Sequence, residues 1–132
     1  MQKELYIIRH GETELNKHGI VQGRGINSDL NETGIAQANA FYQKYKDLPF
    51  DKVYTSSLKR THQTVQNFIS AGIPWEALSG LDELAWGEWE GQARSEESIT
   101  VFRELLEKWQ QGDYDAKLNG GESPAEVEFR LK

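Results

Sequence analysis

The feature of this chain that most restricts its fold is an alternation of short β-favouring runs with helical stripes. Leu5–Ile8 is a continuously apolar run of the kind that forms a strand buried on both faces of a parallel sheet. Apolar residues then recur at helical spacing over 35–45, after a capping residue at Asn31. A second strand is expected at Asp51–Thr55, followed by a helical pattern over 58–69. This β-α-β-α order predicts a three-layer α/β/α domain with a mainly parallel sheet, whose ligands collect at the carboxyl ends of the strands.

The second half of the chain is expected to be irregular at first and helical afterwards. The glycine- and tryptophan-containing stretch from Gly72 to Gly91 indicates an irregular aromatic segment. An apolar stripe over 99–109 predicts an amphipathic helix. A last helix is expected to begin at Ser123, with Glu126 in the position that completes a capping box.

Composition bounds what such a domain can bind. The 132 residues fit one domain, and 21 Asp and Glu against 15 Lys and Arg give a net charge of -6. We therefore expect no nucleic-acid partner, and any bound anion must be held by local groups. The absence of cysteine excludes thiol catalysis and cysteine-ligated zinc. No apolar run approaches the roughly 20 residues of a membrane span, and no signal-peptide pattern is present, so we expect a cytoplasmic location without a membrane partner.

Basic residues follow both predicted strands, where a parallel sheet would bring them to one edge. Arg9 and His10 come directly after the first strand, and Arg60 lies in the first turn of the helix after the second, beside Ser56 and Ser57. An arginine offers a planar fork to phosphate oxygens, and a neutral histidine nitrogen can attack phosphorus. The pattern indicates a phosphate-ester site. From the residues alone, ordinary polar side chains at a strand end and a surface salt bridge of Arg60 stay open as alternatives.

Five short blocks occur in order along nearly the whole chain. They are Arg9–Thr13 with Asn16, Gln22–Arg24 with Asp29–Gly34 and Gln37–Ala38, Thr55–Thr64, Leu81–Glu83 with Gly87–Gly91, and Gly120–Ser123. In this order they resemble the signatures of the histidine phosphatase superfamily, the phosphoglycerate mutase-like clan. The resemblance implies that residues 1–132 are a histidine phosphatase domain with the α/β fold of that clan.

The resemblance also implies a role for individual side chains. By it, His10 is the nucleophile that takes up the phosphoryl group, Arg9 and Arg60 hold the phosphoryl oxygens, and Glu83 gives a proton to the leaving oxygen. Three further positions match family residues that line the phosphate or the substrate, and they are Asn16, Gln22 and Gly23. No metal and no other cofactor is implied, because in-line displacement needs mainly positioning and charge stabilisation.

The chain departs from the family pattern at one catalytic group. The family's second catalytic histidine, in a His-Gly pair after an apolar strand, has no counterpart here. His18 lies in a predicted loop and His62 inside a predicted helix, and we interpret both as surface or structural residues. The stretch Gly25–Ser28 is one residue longer than the common pattern. We expect residues 1–132 to be a C-terminally truncated domain, a fragment that is inactive or pairs with a second copy as a homodimer.

Three functions are compatible with these observations. The first is a phosphomonoester hydrolase that acts through phosphohistidine on a small phosphorylated metabolite. The second is a cofactor-dependent phosphoglycerate mutase, which the short stretch between Glu83 and Gly120 disfavours, because mutases of the clan carry a longer insert there. The third is a non-catalytic module that binds phosphate and has lost turnover.

Overall fold

A computed structural model describes residues 2–132, in which two parallel strands are combined with six helices. The elements in chain order are α1 (Glu14–Lys17), α2 (Glu32–Tyr45), β1 (Val53–Thr55), α3 (Lys59–Thr64), α4 (Gln66–Ser70), β2 (Trp75–Ala77), 3-10 turns at Ser79–Leu81 and Gly87–Trp89, α5 (Glu96–Gln110) and α6 (Pro124–Leu131). Helices precede, separate and follow the two strands, consistent with the predicted α/β fold, although the first strand of the predicted β-α-β-α order does not form. Within residues 2–132, no helix combines the length and the apolar character needed to cross a bilayer.

The sheet consists of β1 and β2, which pair in parallel from Val53 opposite Trp75 to Thr55 opposite Ala77. The strand predicted at Asp51–Thr55 is confirmed with a later start. β2 lies inside the stretch that was expected to be irregular, and that expectation is wrong for these three residues. All three are exposed, so the strand has no buried stripe by which its sequence could be recognised.

Leu5–Ile8 was expected to be a central strand, but it belongs to no helix or strand. None of its backbone groups bonds to another backbone group of residues 2–132. Leu5 and Ile7 are 82% and 84% exposed. The run lines an open groove together with β1. Its composition favours a strand, but a strand also needs a neighbour to pair with, and composition does not supply one.

Aromatic rings form a core around α2 and α4. Phe68 on α4 is only 3% exposed. Its ring centroid lies 4.9 to 5.7 Å from three other aromatic rings, which are those of Phe41, Tyr42 and Phe50. The stripe predicted over 35–45 is confirmed from Ala38 onwards, whereas Ile35 is 51% exposed. The helix is capped as predicted by Asn31, whose side-chain oxygen accepts the backbone N–H of Gly34.

The helix predicted over 58–69 is divided into α3 and α4 at Val65, which has φ -114° and ψ 15°. Just before the break, the hydroxyl of Thr64 donates to the carbonyl oxygen of Arg60 at 2.6 Å. Such a side-chain bond to a carbonyl of the preceding turn weakens the helical ladder and bends helices. The division therefore follows from local hydrogen bonding that an apolar stripe does not record.

A second aromatic group anchors α5. The ring of Trp86 lies 5.1 Å from Phe102 and 6.2 Å from Trp109, measured between centroids. The helix starts at the cap Ser95, whose hydroxyl and that of Ser98 form a reciprocal capping box. The helix predicted over this stretch is confirmed, and it is three residues longer at its start than the apolar stripe.

α6 begins where predicted, at the cap Ser123, but its capping box is only half made. The Ser123 hydroxyl accepts the backbone N–H of Glu126, whereas the Glu126 carboxylate pairs with Lys117 instead of reaching back. The helix contains no buried residue, and Phe129 is 82% exposed. An apolar face therefore does not hold α6 in place.

We expect Phe68→Ala to lower the free energy of unfolding by about 3 to 5 kcal/mol, because it removes a buried ring from the aromatic core. Urea unfolding followed by tryptophan fluorescence measures this change. The matched control is Phe129→Ala, the same replacement at an exposed position, which should change stability by less than about 0.5 kcal/mol. Equal losses in the two variants would show that this aromatic group is not the core.

Candidate active site

Three of the predicted site residues meet at one carboxylate oxygen. Arg60 donates to Oε2 of Glu83 at 3.0 Å, and Nε2 of His10 lies 3.9 Å from the same oxygen. His10 follows the exposed run at the start of the chain, Arg60 lies on α3, and Glu83 follows the first 3-10 turn. The fold thus gathers a nitrogen base, a guanidinium and a carboxylate from distant parts of the sequence.

Hydrogen bonds fix the tautomer of His10. Its Nδ1 lies 2.7 Å from the carbonyl oxygen of Gly11. Because a carbonyl oxygen can only accept, Nδ1 carries the proton of the neutral ring and Nε2 keeps its lone pair. That lone pair is on the nitrogen facing Glu83. The N–H of Gly11 donates to the hydroxyl of Thr64, which ties the histidine turn to α3.

The turn after His10 also packs tightly against the start of α2, and two glycines permit this. A Cβ on Gly11 would lie 2.8 Å from the carbonyl oxygen of Gly34, and one on Gly34 would lie 2.2 Å from that of Glu12. The N–H of Asn31 donates to the Glu12 carbonyl at 3.0 Å. Gly34 belongs to the block Asp29–Gly34, but no role was predicted for it. Its role is to let the histidine turn approach α2 closely, and spacing in the sequence does not reveal that contact.

Arg60 is fully buried, and its guanidinium is bound mostly by backbone carbonyls. It donates to the carbonyl oxygens of Gly23, at 3.1 Å, and Ile26 as well as to Glu83. Its Nε has no partner among residues 2–132. A surface salt bridge, the alternative left open by the sequence, is excluded by this burial.

Gly23 serves the site through its backbone. Its carbonyl oxygen accepts a hydrogen bond from Arg60. A Cβ on Gly23 would lie 1.9 Å from Oε1 of Glu90 and 2.8 Å from the carbonyl oxygen of Leu84. The position therefore has no room for a side chain. The longer stretch after it has a structural use as well, because the side chain of Asn27 accepts the first N–H of α3.

The surroundings of His10 favour its neutral form. Burial lowers the pKa of His10 below its usual value, and the positive charges of Arg60 and Arg9 act in the same direction. The hydrogen bond to Gly11 and the charge of Glu83 oppose this change without cancelling it. At neutral pH the ring is therefore uncharged, which is the state that can attack an electrophile.

The remaining predicted site residues lie outside this contact. Arg9 is exposed, lines the same groove as His10, and has no hydrogen-bond partner among residues 2–132. Asn16 uses its side-chain oxygen to accept the backbone N–H of Thr13, and so caps α1. Gln22 is buried and accepts from the hydroxyl of Ser28. Of these, Arg9 alone shares a groove with His10.

The other two histidines have local partners, in line with their interpretation as surface and structural residues. Nε2 of His18 lies 3.2 Å from the exposed carboxylate of Glu14. Nε2 of His62 donates to the carbonyl oxygen of Ser56 at 2.7 Å, and the ring packs on Trp75.

One buried carboxylate beside the site was not predicted. Asp82 precedes Glu83 and accepts from both the N–H and the hydroxyl of Ser57, at 2.8 and 2.7 Å. Ser57 was expected to help bind an anion at a helix start. Ser57 binds this internal carboxylate instead. Asp82 lies in the block Leu81–Glu83, but the resemblance assigned no role to it.

Known proteins of one family are similar to this chain. The family model described as histidine phosphatase superfamily (branch 1) matches residues 5–132. Fructose-2,6-bisphosphatase TIGAR of Bos taurus is 41% identical over 97 residues, covering 70% of this chain and 36% of that protein. Phosphoserine phosphatase 1 of Hydrogenobacter thermophilus is 32% identical over 130 residues, covering 98% of this chain and 61% of that protein.

A solved structure gives the same result for the fold. The α-ribazole phosphatase of Shigella flexneri superposes with a TM-score of 0.75 at 28% identity, covering 93% of this chain and 60% of that chain. The chain thus spans between about a third and three-fifths of the length of these relatives. The phosphoglycerate mutase-like α/β fold predicted from the sequence is confirmed.

We expect the pKa of His10 to lie below 6.5, because burial disfavours the charged ring. An NMR titration of the ring protons measures it, with the His10 signal assigned by its loss in His10→Asn. Replacing Glu83 by Gln should lower the pKa of His10 further, because the negative charge that favours protonation is removed. A His10 pKa above 6.5, or one that rises in Glu83→Gln, would contradict the described surroundings.

Proposed function

The chain belongs to the histidine phosphatase superfamily (branch 1), and from this we propose that it is a phosphomonoester hydrolase acting through phosphohistidine on a small phosphorylated metabolite. The observation that carries the proposal is the lone pair of His10 Nε2, held on the side of the ring that faces Glu83 and the buried Arg60. The relatives named above are phosphatases for a sugar bisphosphate, a ribazole phosphate and phosphoserine, which supports a small phosphorylated substrate.

The first step transfers the phosphoryl group to the protein. Nε2 of His10 attacks phosphorus, the N–P bond forms, and the bond from phosphorus to the ester oxygen breaks. A protonated Glu83 gives its proton to the leaving oxygen, which departs as an alcohol. The hydrogen bond from Nδ1 to Gly11 supports the positive charge that the ring gains on attack.

The second step returns the site to its starting state. Water attacks the phosphohistidine, the new O–P bond forms and the N–P bond breaks. The Glu83 carboxylate takes the proton that water releases, and inorganic phosphate leaves. One residue thus serves as acid in the first step and as base in the second.

Positive charge stabilises the transferred group in both steps. The Nε of Arg60 is a buried donor without a partner in residues 2–132, and a phosphoryl oxygen that reached it would supply one. Arg9 brings a second guanidinium to the rim of the groove beside His10. Two arginines and no metal suffice for a loose phosphoryl-transfer state, in which positioning and charge do most of the work.

The composition of the chain supports a proposal for its partners and its location. The net charge of -6 disfavours a nucleic-acid partner, and the lack of cysteine fits a cytoplasmic location. A homodimer stays part of the proposal as one way in which the exposed Leu5–Ile8 run becomes covered. The other two histidines, His18 and His62, bind Glu14 and Ser56, so neither replaces the family's second catalytic histidine. We therefore expect hydrolysis of the phosphohistidine to be slower than its formation in this chain.

We expect the 132-residue chain to accumulate a phosphoryl group on His10 when it is incubated with 4-nitrophenyl phosphate. Mass spectrometry of peptides kept at alkaline pH locates the modification, and release of 4-nitrophenol gives its rate. His10→Asn should lower that rate by at least about 1,000-fold, since it removes the nucleophile.

The matched control is His18→Asn, an exposed histidine outside the site, which should be phosphorylated like the parent chain. A phosphoryl group on another residue would overturn the mechanism. Binding of inorganic phosphate without any modification of His10 would favour the non-catalytic module instead.

A further inference from the structure

We propose that Arg130 and Glu122 are positioning residues, which clamp the loop bearing Glu83 so that its carboxylate stays against His10 and Arg60. The proposal rests on the proposed function only for the role of Glu83 as proton donor. Arg130 lies outside the five blocks, Glu122 lies in the block Gly120–Ser123 without an assigned role, and neither touches His10.

Arg130 reaches from α6 to the part of the loop that precedes Glu83. Its guanidinium is nearly buried and donates to the carbonyl oxygens of Gly80, at 2.6 Å, and Asp82, at 2.8 Å. Close packing reinforces the contact, because a Cβ on Gly80 would lie 2.5 Å from the carbonyl oxygen of Arg130. The backbone on the N-terminal side of Glu83 is thereby fixed to the last helix.

Glu122 holds the part of the loop that follows Glu83. Its Oε1 accepts the N–H of Ala85 at 2.9 Å, and its own N–H donates to the Ala85 carbonyl at 2.8 Å. The same carboxylate binds Arg130 at both oxygens, with distances of 2.8 and 3.0 Å. This bidentate pair lowers the pKa of Glu122, so the carboxylate stays charged and the two halves of the clamp stay joined.

Glu83 depends on this clamp because its side chain has few contacts of its own. Within residues 2–132, its carboxylate touches Arg60 and His10, and it is otherwise partly exposed to solvent. A third basic residue, Arg24, closes the network by pairing with Asp82 at 3.0 Å. The Glu83 carboxylate is therefore held at its tip by Arg60, while the position of its backbone is set by Arg130 and Glu122.

The clamp can be tested without loss of the core. α6 buries no residue, so removing Arg130 releases the loop without opening an apolar cavity. Arg130→Met keeps the bulk of the side chain and removes every donor. The matched control is Arg103→Met, the same change at an exposed arginine on α5.

The first measurement compares the rates of His10 phosphorylation from two donors. The leaving group of methyl phosphate is a strongly basic alkoxide oxygen, which needs a proton as it departs. The leaving group of 4-nitrophenyl phosphate is a weakly basic phenolate oxygen, which does not. We expect Arg130→Met to lower the rate with methyl phosphate by about 100-fold, the effect of a small misplacement of an acid, and the rate with 4-nitrophenyl phosphate much less. Arg103→Met should change neither rate. Equal losses with both donors would overturn the proposal.

The second measurement does not require any reaction. The charged groups that face His10 are Arg9, Arg60 and Glu83, so movement of Glu83 away from the ring changes the NMR titration of His10. We expect the pKa of His10 in Arg130→Met to fall to its value in Glu83→Gln, with no change in Arg103→Met. An unchanged His10 titration in Arg130→Met would overturn the clamp even if the parent chain were never phosphorylated.

A second variant covers the case in which Arg130→Met fails to fold. Glu122→Gln retains an oxygen for the Ala85 N–H but loses the charge that binds Arg130. We expect the same selective loss with methyl phosphate, of smaller size.

Failure of His10 phosphorylation in the parent chain, with the expected shift in titration, would refute the proposed function and leave the positioning role in place.

Discussion

The buried guanidinium of Arg60 is the constraint on which the rest of this structure depends. A charge removed from water is tolerated only when neighbouring groups bind it, and here a carboxylate and two backbone carbonyls do so. Those partners belong to Glu83 and to the loop containing Gly23, so satisfying one side chain brings α3 and two distant loops to one point. His10 reaches the same point through the bond between Gly11 and Thr64 on α3. The site is therefore a product of burying a charge, with the helices acting as supports around it.

How much of the fold could be read from the sequence differs between elements for physical reasons. α2 and α5 were predictable, because an apolar stripe and a capping side chain are local properties of the chain. β2 was not, since three exposed residues carry no period. Leu5–Ile8 has the composition of a strand and no partner in residues 2–132, and pairing depends on the rest of the fold. The apolar stripe over 58–69 is continuous, but the helix breaks at Val65, because the Thr64 hydroxyl donates to the Arg60 carbonyl oxygen just before it.

The candidate site shows the same division. His10, Arg60 and Glu83 were assigned by resemblance to ordered blocks, and the structure brings the three together. Asn16 was assigned in the same way but caps α1. The supports of the site were beyond the reach of the sequence, because many of them are backbone carbonyls, which every residue possesses. The carbonyl of Gly23 acquires its use only when Arg60 is folded against it.

The position of Glu83 has a further consequence for how the site is occupied. Its carboxylate is an internal counter-ion, lying against the two groups that an incoming phosphate would also approach. In the proposed mechanism, a singly charged anion gains less than a dianion from the same cations when it displaces this carboxylate, so the site favours doubly charged phosphates. In the proposed mechanism, the proton that Glu83 gives to the leaving oxygen is also the one that cancels the charge of this counter-ion. Under that mechanism, occupancy by a dianion and readiness for proton transfer are linked, and each favours the other.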